Sequence, residues 1–328
     1  MSNDSVTINV LVTGVGAVIG YGIIKSLRRS GYQVRIVGLD RNPQAFGARF
    51  CDAFFPKKFP EETGKYWQFL RSLIAEEKID LLLPGIEEDV FGLYDHKGEI
   101  DEGCVKVVLN SRSAIECGRD KWVMHNTLLK HGILTIPTVR PSVWNDCLET
   151  LGEPPFLLKP AKGSASRGQQ LLQNGHDFEY WQGKYGETFI VQKIIGCKDE
   201  EYTVSVFGLA DETSTSTAIF RRWLGPTGST VKAETVTCDS EIERAVGELD
   251  RVFQPHGPTN YQFRKQDGQV YLLEINPRIS SSTSIRCALG VNESRMCIEY
   301  YVLGRKPTNM SLEKGRCQRY LEDLVTLL

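Results

Sequence analysis

The chain has 328 residues, 41% hydrophobic and 24% charged, and 39 basic against 41 acidic side chains leave a formal net charge of -2. This length allows two or three domains with a sizeable core, and the near-balanced charge gives no global pull toward nucleic acid. No apolar run is long enough to span a membrane, the polar start MSNDSV is unlike a signal peptide, and nine scattered cysteines without a CxxC argue for reduced thiols, against a structural zinc and for a cytoplasmic place.

In chain order, residues 8–13 (INVLVT) form a short apolar run suited to a buried parallel strand. Gly14-Val15-Gly16-Ala17-Val18-Ile19-Gly20 then leads into a helix to Arg29, closed by Ser30-Gly31, and residues 32–39 form a second strand ending at Asp40. This unit has two readings. In one it binds NAD(P): the glycines admit a pyrophosphate at the helix N-terminus and Asp40 takes the ribose hydroxyls. The GxGxxxG spacing resists this, with one residue too many before Gly20. In the other, Gly14 and Gly16 only allow a close turn.

Residues 66–77 are an amphipathic helix with Trp67, Leu70, Leu73 and Ile74 on its apolar face. Residues 79–83 are a strand, and Ile86-Glu87-Glu88-Asp89 follow at the sheet edge where open α/β folds place ligands. These acids either meet a substrate amine or begin a helix whose dipole favours them. Residues 105–109 are a last strand before a boundary at 110–113.

Arg119-Asp120-Lys121-Trp122 opens a helix to about His131, capped by Gly132. A strand at 156–159 ends in Lys159-Pro160 and is followed by Ala161-Lys162-Gly163-Ser164-Ala165-Ser166-Arg167-Gly168. Glycines, hydroxyls and cations in one loop make either a phosphate cradle or a flexible hairpin tip. It is not a Walker A loop, because no GK[ST] closes it. Residues 189–195 (FIVQKII) are a strand, and 200–207 begin acidic and alternate into another. An apolar segment beside backbone hydrogen-bonding groups suits an adenine, and a carboxylate just beyond suits ribose.

Residues 218–230 (AIFRRWLGPTGST) read either as a grip for a substrate carboxylate or phosphate, with Arg222 the candidate, or as a solvated basic loop. Residues 259–278 (TNYQFRKQDGQVYLLEINPR) read as two strands around an Asp267-Gly268 turn that brings Gln262 alongside Glu274. Period two puts Glu274 and Asn276 on one face, as hard oxygen ligands suited to Mg²⁺ or as a polar edge strand. Residues 293–303 form a helix with Met296, Ile298 and Tyr301 toward the core, and 321–328 are a strand or short helix packed on the body.

The ordered set DK at Asp120-Lys121, LLKP at 157–160 with its glycine loop, QKII at 192–195, EYTV at 201–204, NYQF at 260–263 and EINPR at 274–278 resembles the ATP-grasp superfamily. It is most similar to the ATP-binding halves of the carbamoyl phosphate synthase large subunit and to single-copy carboxylate–amine ligases. The resemblance implies an α/β fold with α+β character in its ATP-grasp part. An open parallel-sheet domain at 1–112 precedes a lid subdomain at 113–191 and a C-terminal subdomain with the metal site at 192–328.

It further implies that Lys121 and Lys159 touch the ATP phosphates, and that the Gly163 to Gly168 loop, with Ser164 and Ser166, closes over them. Gln192, Lys193 and Ile195 hold adenine, and Glu201 holds ribose. Gln262, Glu274 and Asn276 hold one or two Mg²⁺ ions, with Mn²⁺ able to stand in. Arg278 sits by the γ-phosphate and the acyl phosphate, so Arg278, Lys159 and, on the residue reading above, Arg222 are the catalytic candidates. The implied activity is an ATP-dependent carboxylate–amine or carboxylate–thiol ligase that forms an acyl phosphate of a small metabolite and releases ADP and phosphate. Its partners are then small molecules and a second copy of itself, with no nucleic acid or membrane.

The sequence departs from carbamoyl phosphate synthase in lacking its Gly-Val-His-Ser-Gly run and its second ATP-grasp copy, which argues against bicarbonate or carbamate. Gln262 stands where many ATP-grasp members carry an acid. The other function classes are an NAD(P)-dependent oxidoreductase on the Gly14 unit and a non-catalytic nucleotide-binding regulator.

Overall fold

The strand β1 (Ile8–Thr13) sits at the centre of a parallel sheet ordered β3-β2-β1-β4-β5, with β2 Val34–Asp40, β3 Ala53–Pro56, β4 Leu81–Leu83 and β5 Lys106–Val107. The computed structural model describes residues 7–60, 64–100, 103–163, 168–186, 188–209, 213–225, 228–320 and 322–325. The unbroken apolar run of β1 follows from burial of both faces. Leu11 packs on one side with Trp67, Leu70 and Leu73 of helix α2 (Gly64–Glu76). Val10 and Val12 pack on the other with Ile23, Ile24 and Leu27 of α1 (Val18–Arg28). That second core also takes in Phe207 and, from further along the chain, Met296, Cys297 and Ile298. Helix α3 (Glu87–Asp95) begins with the three acids Glu87, Glu88 and Asp89 in its first turn.

After α3 come α4 (Arg112–Arg119) and α5 (Lys121–Lys130). The single helix start expected near 119 is a break: Asp120 is extended and caps α5, accepting from Trp122 N at 2.8 Å. A four-stranded antiparallel sheet follows, ordered β6-β9-β7-β8, with β6 Thr138–Val139, β7 Phe156–Pro160, β8 Gln170–Leu172 and β9 Phe189–Lys193. Helices α6 (Trp144–Leu151) and α7 (Gly175–Tyr185) give it a core of its own with Phe156, Leu158, Phe178 and Val191.

The third sheet is ordered β14-β13-β10-β11-β12-β15. Its strands are β10 Glu201–Gly208, β11 Ser214–Leu224, β12 Thr230–Val236, β13 Gly257–Gln266, β14 Gln269–Asn276 and β15 Arg316–Gln318. Period two divides it into unlike faces. Tyr202, Val204, Val206, Ile219, Tyr261, Phe263 and Ile275 pack on α8 (Ser240–Phe253) together with Ala114 and Cys117 of α4 and Met124 and Leu128 of α5. Helices α4 and α5 thus share a core with this sheet, although a division at 113 would group them with the four-stranded one. The opposite face carries Glu201, Thr203, Arg222, Asn260, Gln262, Arg264, Glu274 and Asn276, paired across the strands.

Two expectations for the C-terminal half are corrected. Of the two readings of 218–230, the solvated basic loop does not hold for 218–224, which lie in β11, and Arg222 is 5% exposed. Of the closing residues 321–328, only 322–325 are described; they are irregular rather than a strand or helix, and Leu324 and Val325 are exposed. The packed strand comes earlier, as β15 beside β12. Before it, the chain forms the short helices α9 (Thr283–Ala288) and α10 (Glu293–Cys297), the latter continuing as a wider π turn at Ile298–Val302. No helix among the described residues is long and apolar enough to cross a membrane.

Candidate active site

The polar face of the six-stranded sheet depends on one irregularity in the β13–β14 hairpin. Asp267 and Gly268 at its tip have φ of 52° and 72°, the left-handed pair that a two-residue hairpin needs. Counting back from the tip, Gln266 pairs with Gln269 and Phe263 with Leu272. An unbroken ladder would then set Leu273 opposite Gln262. A bulge absorbs Leu273, and Gln262 pairs with Glu274 and Asn260 with Asn276. The pairing expected from sequence is therefore present, through a bulge that sequence did not announce.

Asn276 Nδ2 donates to Glu274 Oε1 at 3.1 Å, and Asn276 Oδ1 accepts from Arg278 Nη2 at 2.8 Å. Arg278 also donates to Glu87 Oε1 at 2.8 Å and to the Ile279 carbonyl at 3.1 Å. Glu87 is a first-turn helix acid, and it also tethers the parallel-sheet body to Arg278. Among the described residues, no three of His, Cys, Asp and Glu gather to hold a metal alone. Glu274 and Asn276 present one carboxylate and one amide, a donor set suited to a Mg²⁺ that takes its other ligands from phosphate and water.

Gln262 is placed differently from expectation. Its Oε1 accepts from Arg222 Nη2 at 2.6 Å. Arg222 donates twice to Glu201 Oε1, at 2.7 and 3.2 Å, and Arg264 donates twice to Glu201 Oε2, at 2.9 and 3.2 Å. Glu201, expected to take ribose, has both oxygens committed to guanidinium groups and serves as the strut between them. Arg264 also reaches the Ile195 carbonyl at 3.4 Å. Arg264 was absent from the expected site, yet period two from Asn260 and Gln262 puts it on the same face.

The four-stranded sheet brings the lysines. Lys121, at the start of α5, donates to the Gly163 carbonyl at 2.6 Å. Lys159, on β7, is 7% exposed and has no acceptor among the described residues. Burial, the neighbouring Lys121 charge and Arg264 push its ammonium down to about 8, against the opposing pull of Glu274 and Glu201. A buried ammonium with no hydrogen-bonded acceptor is an unfinished interaction. Gln192 is similarly incomplete: its Nε2 donates to Thr138 Oγ1 at 2.9 Å, while its buried Oε1 has no partner. Lys193 presents an exposed side chain beside it, and its N–H donates to the Pro137 carbonyl at 3.0 Å; Ile195 is 5% exposed.

Gly163 and Gly168 bound the glycine loop; Ser164 and Ser166 lie outside the described residues. Gly168 has φ of 72°, and a Cβ there would come within 3.0 Å of Pro160, so both conformation and space call for glycine. A cavity of about 520 Å³ lies beside α3, lined by Glu87, Glu88, Phe91, Arg119, Lys162, Gly163 and Gly168. Arg119 lies over the Phe91 ring at 4.9 Å and donates to Asp95 at 2.9 Å. Sequence signalled the acids of this cavity but not Arg119, whose place depends on where α4 ends.

The Gly14 turn is held from within the chain. Asp40 accepts from the Gly16 N–H at 2.8 Å and from the Asn42 N–H at 2.8 Å, so the acid meant for ribose is spent on the turn itself. A Cβ on Gly47 would fall 1.9 Å from the Val15 carbonyl, so the chain after β2 lies directly on the glycine turn.

Residues 187–323 match the family described as ATP-grasp in the biosynthetic pathway with Ter operon. The chain is 23% identical over 292 residues to the carbamoyl phosphate synthase large chain of Nostoc sp., covering 80% of this chain and 25% of that one. It thus spans about a quarter of that relative's length. Its fold is similar to N5-carboxyaminoimidazole synthetase from Staphylococcus aureus, solved with ADP, at a TM-score of 0.73 and 18% identity over 94% of this chain and 81% of that one. It is also similar to an L-amino acid ligase from Bacillus licheniformis, at a TM-score of 0.68 and 15% identity over 92% and 75% of the two chains. The fold is that of the ATP-grasp enzymes.

Proposed function

We propose that this ATP-grasp chain is an ATP-dependent ligase that activates a small carboxylate as its acyl phosphate and transfers the acyl group to an amine. The observation that supports this most directly is Lys159, a buried ammonium with no hydrogen-bond acceptor among the described residues, under the electrostatic influence of Lys121 and Glu274. A polyphosphate supplies the missing negative charge and returns the lysine to its ordinary basicity. Gln192 Oε1, buried and unpartnered, suits the exocyclic amine of adenine and would repel the oxygen guanine has there.

In this scheme the substrate carboxylate attacks the γ-phosphorus and the bond to ADP breaks. The amine then attacks the acyl carbon, phosphate leaves, and the amine gives up a proton. Lys121 and Lys159 hold the phosphates from the lid side, and Arg278 faces the developing charge from the sheet side. Glu274 and Asn276 would hold a Mg²⁺, which supplies charge neutralisation at the transferring phosphoryl oxygens. The cavity beside Glu87 and Glu88 has the size of a small-metabolite site.

A screen for ADP release from Mg-ATP over small carboxylates paired with amines or thiols tests this. At least one pair should release ADP, and Glu274→Ala should lower that rate by about a hundredfold or more while the fold persists. ADP release by that variant at the wild-type rate would contradict the role given to Glu274.

A further inference from the structure

A closed ring of buried polar side chains joins the end of β14 to α9 and α10. Asn260 lies beside Ser205 on β10 and beside Asn276 on β14. Ser205 Oγ donates to Glu293 Oε1 at 2.8 Å, and Arg286 Nε donates to Glu293 Oε2 at 3.2 Å. Arg286 Nη2 also donates to Ser280 Oγ. Ser280 follows Arg278 by two residues, and Arg278 Nη2 returns to Asn276 Oδ1 at 2.8 Å. Asn260 and Arg286 are 0% exposed and Arg278 is 9% exposed.

The ring is short of acceptors. Asn260 Nδ2, Arg278 Nε and Arg286 Nη1 are buried and have no hydrogen-bond partner among the described residues. All three can only donate. Ser294 Oγ, next in the chain to Glu293, is buried, unpartnered and also able to donate. Charge runs the same way. Arg278 is answered by Glu87, and Arg286 by Glu293. Arg319 bonds to the carbonyls of Thr230 and Ser281 and has no carboxylate partner among the described residues. Burial lowers the basicity of its guanidinium, and the nearby Arg286 charge lowers it further. Glu274, which accepts from Asn276, acts on Lys159 of the lid instead. Three arginines thus meet two carboxylates. Buried N–H groups left without acceptors are costly, and a water would supply lone pairs but no charge. A small anion supplies both. We infer that Asn260, Arg278 and Arg286 hold one small monovalent anion, of halide or formate size, which ties the Arg278 segment to β13 and α9. This inference does not rest on the ligase reading.

Thermal unfolding of the intact protein, dialysed into sodium gluconate, tests it without turnover. Exchanging gluconate for chloride, or in a second arm for formate, at constant ionic strength should raise Tm by about 2–4 °C and saturate as for one site. The two arms tell a halide from a carboxylate. Asn260→Asp places a carboxylate in the ring and keeps the oxygen that accepts from Thr203 Oγ1; its Tm should be the same in all three salts. Arg286→Met should lose the response as well. A wild-type Tm that neither chloride nor formate raises overturns the inference, and the donors are then met by water or by a direct bond between Asn260 and an arginine. An equal rise in the wild type and either folded variant also overturns it, since the anion would then act elsewhere. Should neither variant fold, the salt dependence of the wild type decides: a saturating rise supports the site, and a rise linear in salt overturns it.

Discussion

Lys159 couples stability to function in a way that pH exposes. Its folded value of about 8 lies below the roughly 10.4 of a lysine in an unfolded chain. Below pH 8 both states carry the proton, and the folded state bears the full cost of the buried charge, on the order of 3 kcal/mol. Between pH 8 and 10.4 the unfolded state binds more protons, so this cost fades as pH rises. Lys159→Met should therefore stabilise the ligand-free protein at pH 7 by about 1–3 kcal/mol in urea unfolding, and by less than half as much at pH 9.5. The same variant should lose nucleotide binding. A variant that is less stable at pH 7 would mean that the lysine is compensated.

At the scale of elements, the β13–β14 hairpin sets which residues meet the substrate. Leu273 is the extra residue of the bulge, so its deletion leaves Gln262 opposite Glu274 in a regular ladder. Nucleotide affinity should then stay within about tenfold of the wild type. Deleting Ile275 instead moves Asn276 to the apolar face and should abolish binding. Isothermal titration of both variants checks this, and equal losses would show that the register is not what matters.

The hairpin also shows what sequence could and could not convey. Its turn was legible from Asp267-Gly268, and its polar face from the alternation of Asn260, Gln262 and Glu274. The bulge was not, because an extra leucine in an apolar run breaks no pattern. Arg222 was identified, but its partners were not. Strand order decides that β10, β11 and β13 lie together, and one strand's sequence carries no trace of that order. Glu201 looked like a free acid for the same reason.

Across the whole molecule, the parallel sheet and the six-stranded sheet are joined, while the four-stranded sheet has its own core. Helix α1 packs with Met296, Cys297 and Ile298, and Asn292 Nδ2 donates to the Ser26 carbonyl at 2.9 Å in a buried contact. Asn292→Ala should cost about 1–2 kcal/mol by removing this buried donor and the cap that Asn292 Oδ1 gives the Arg295 N–H at the start of α10, read as a lower urea midpoint. An unchanged midpoint would mean that the two bodies are held together elsewhere. Sequence could place β1, α1 and β2 almost to the residue, because periodicity is local. It could not foresee that α1 docks on the end of the chain, or that α4 and α5 belong with the third sheet.

The central claim is an adenine-nucleotide site between the four-stranded lid and the polar face of the third sheet. Isothermal titration of the intact protein with a magnesium complex of a non-hydrolysable ATP analogue, with the GTP analogue and NADH in parallel, tests it most directly. The account predicts one ATP analogue per chain, about a hundredfold weaker binding of the GTP analogue because of Gln192, and no heat from NADH. Binding of NADH with none of the ATP analogue would contradict it.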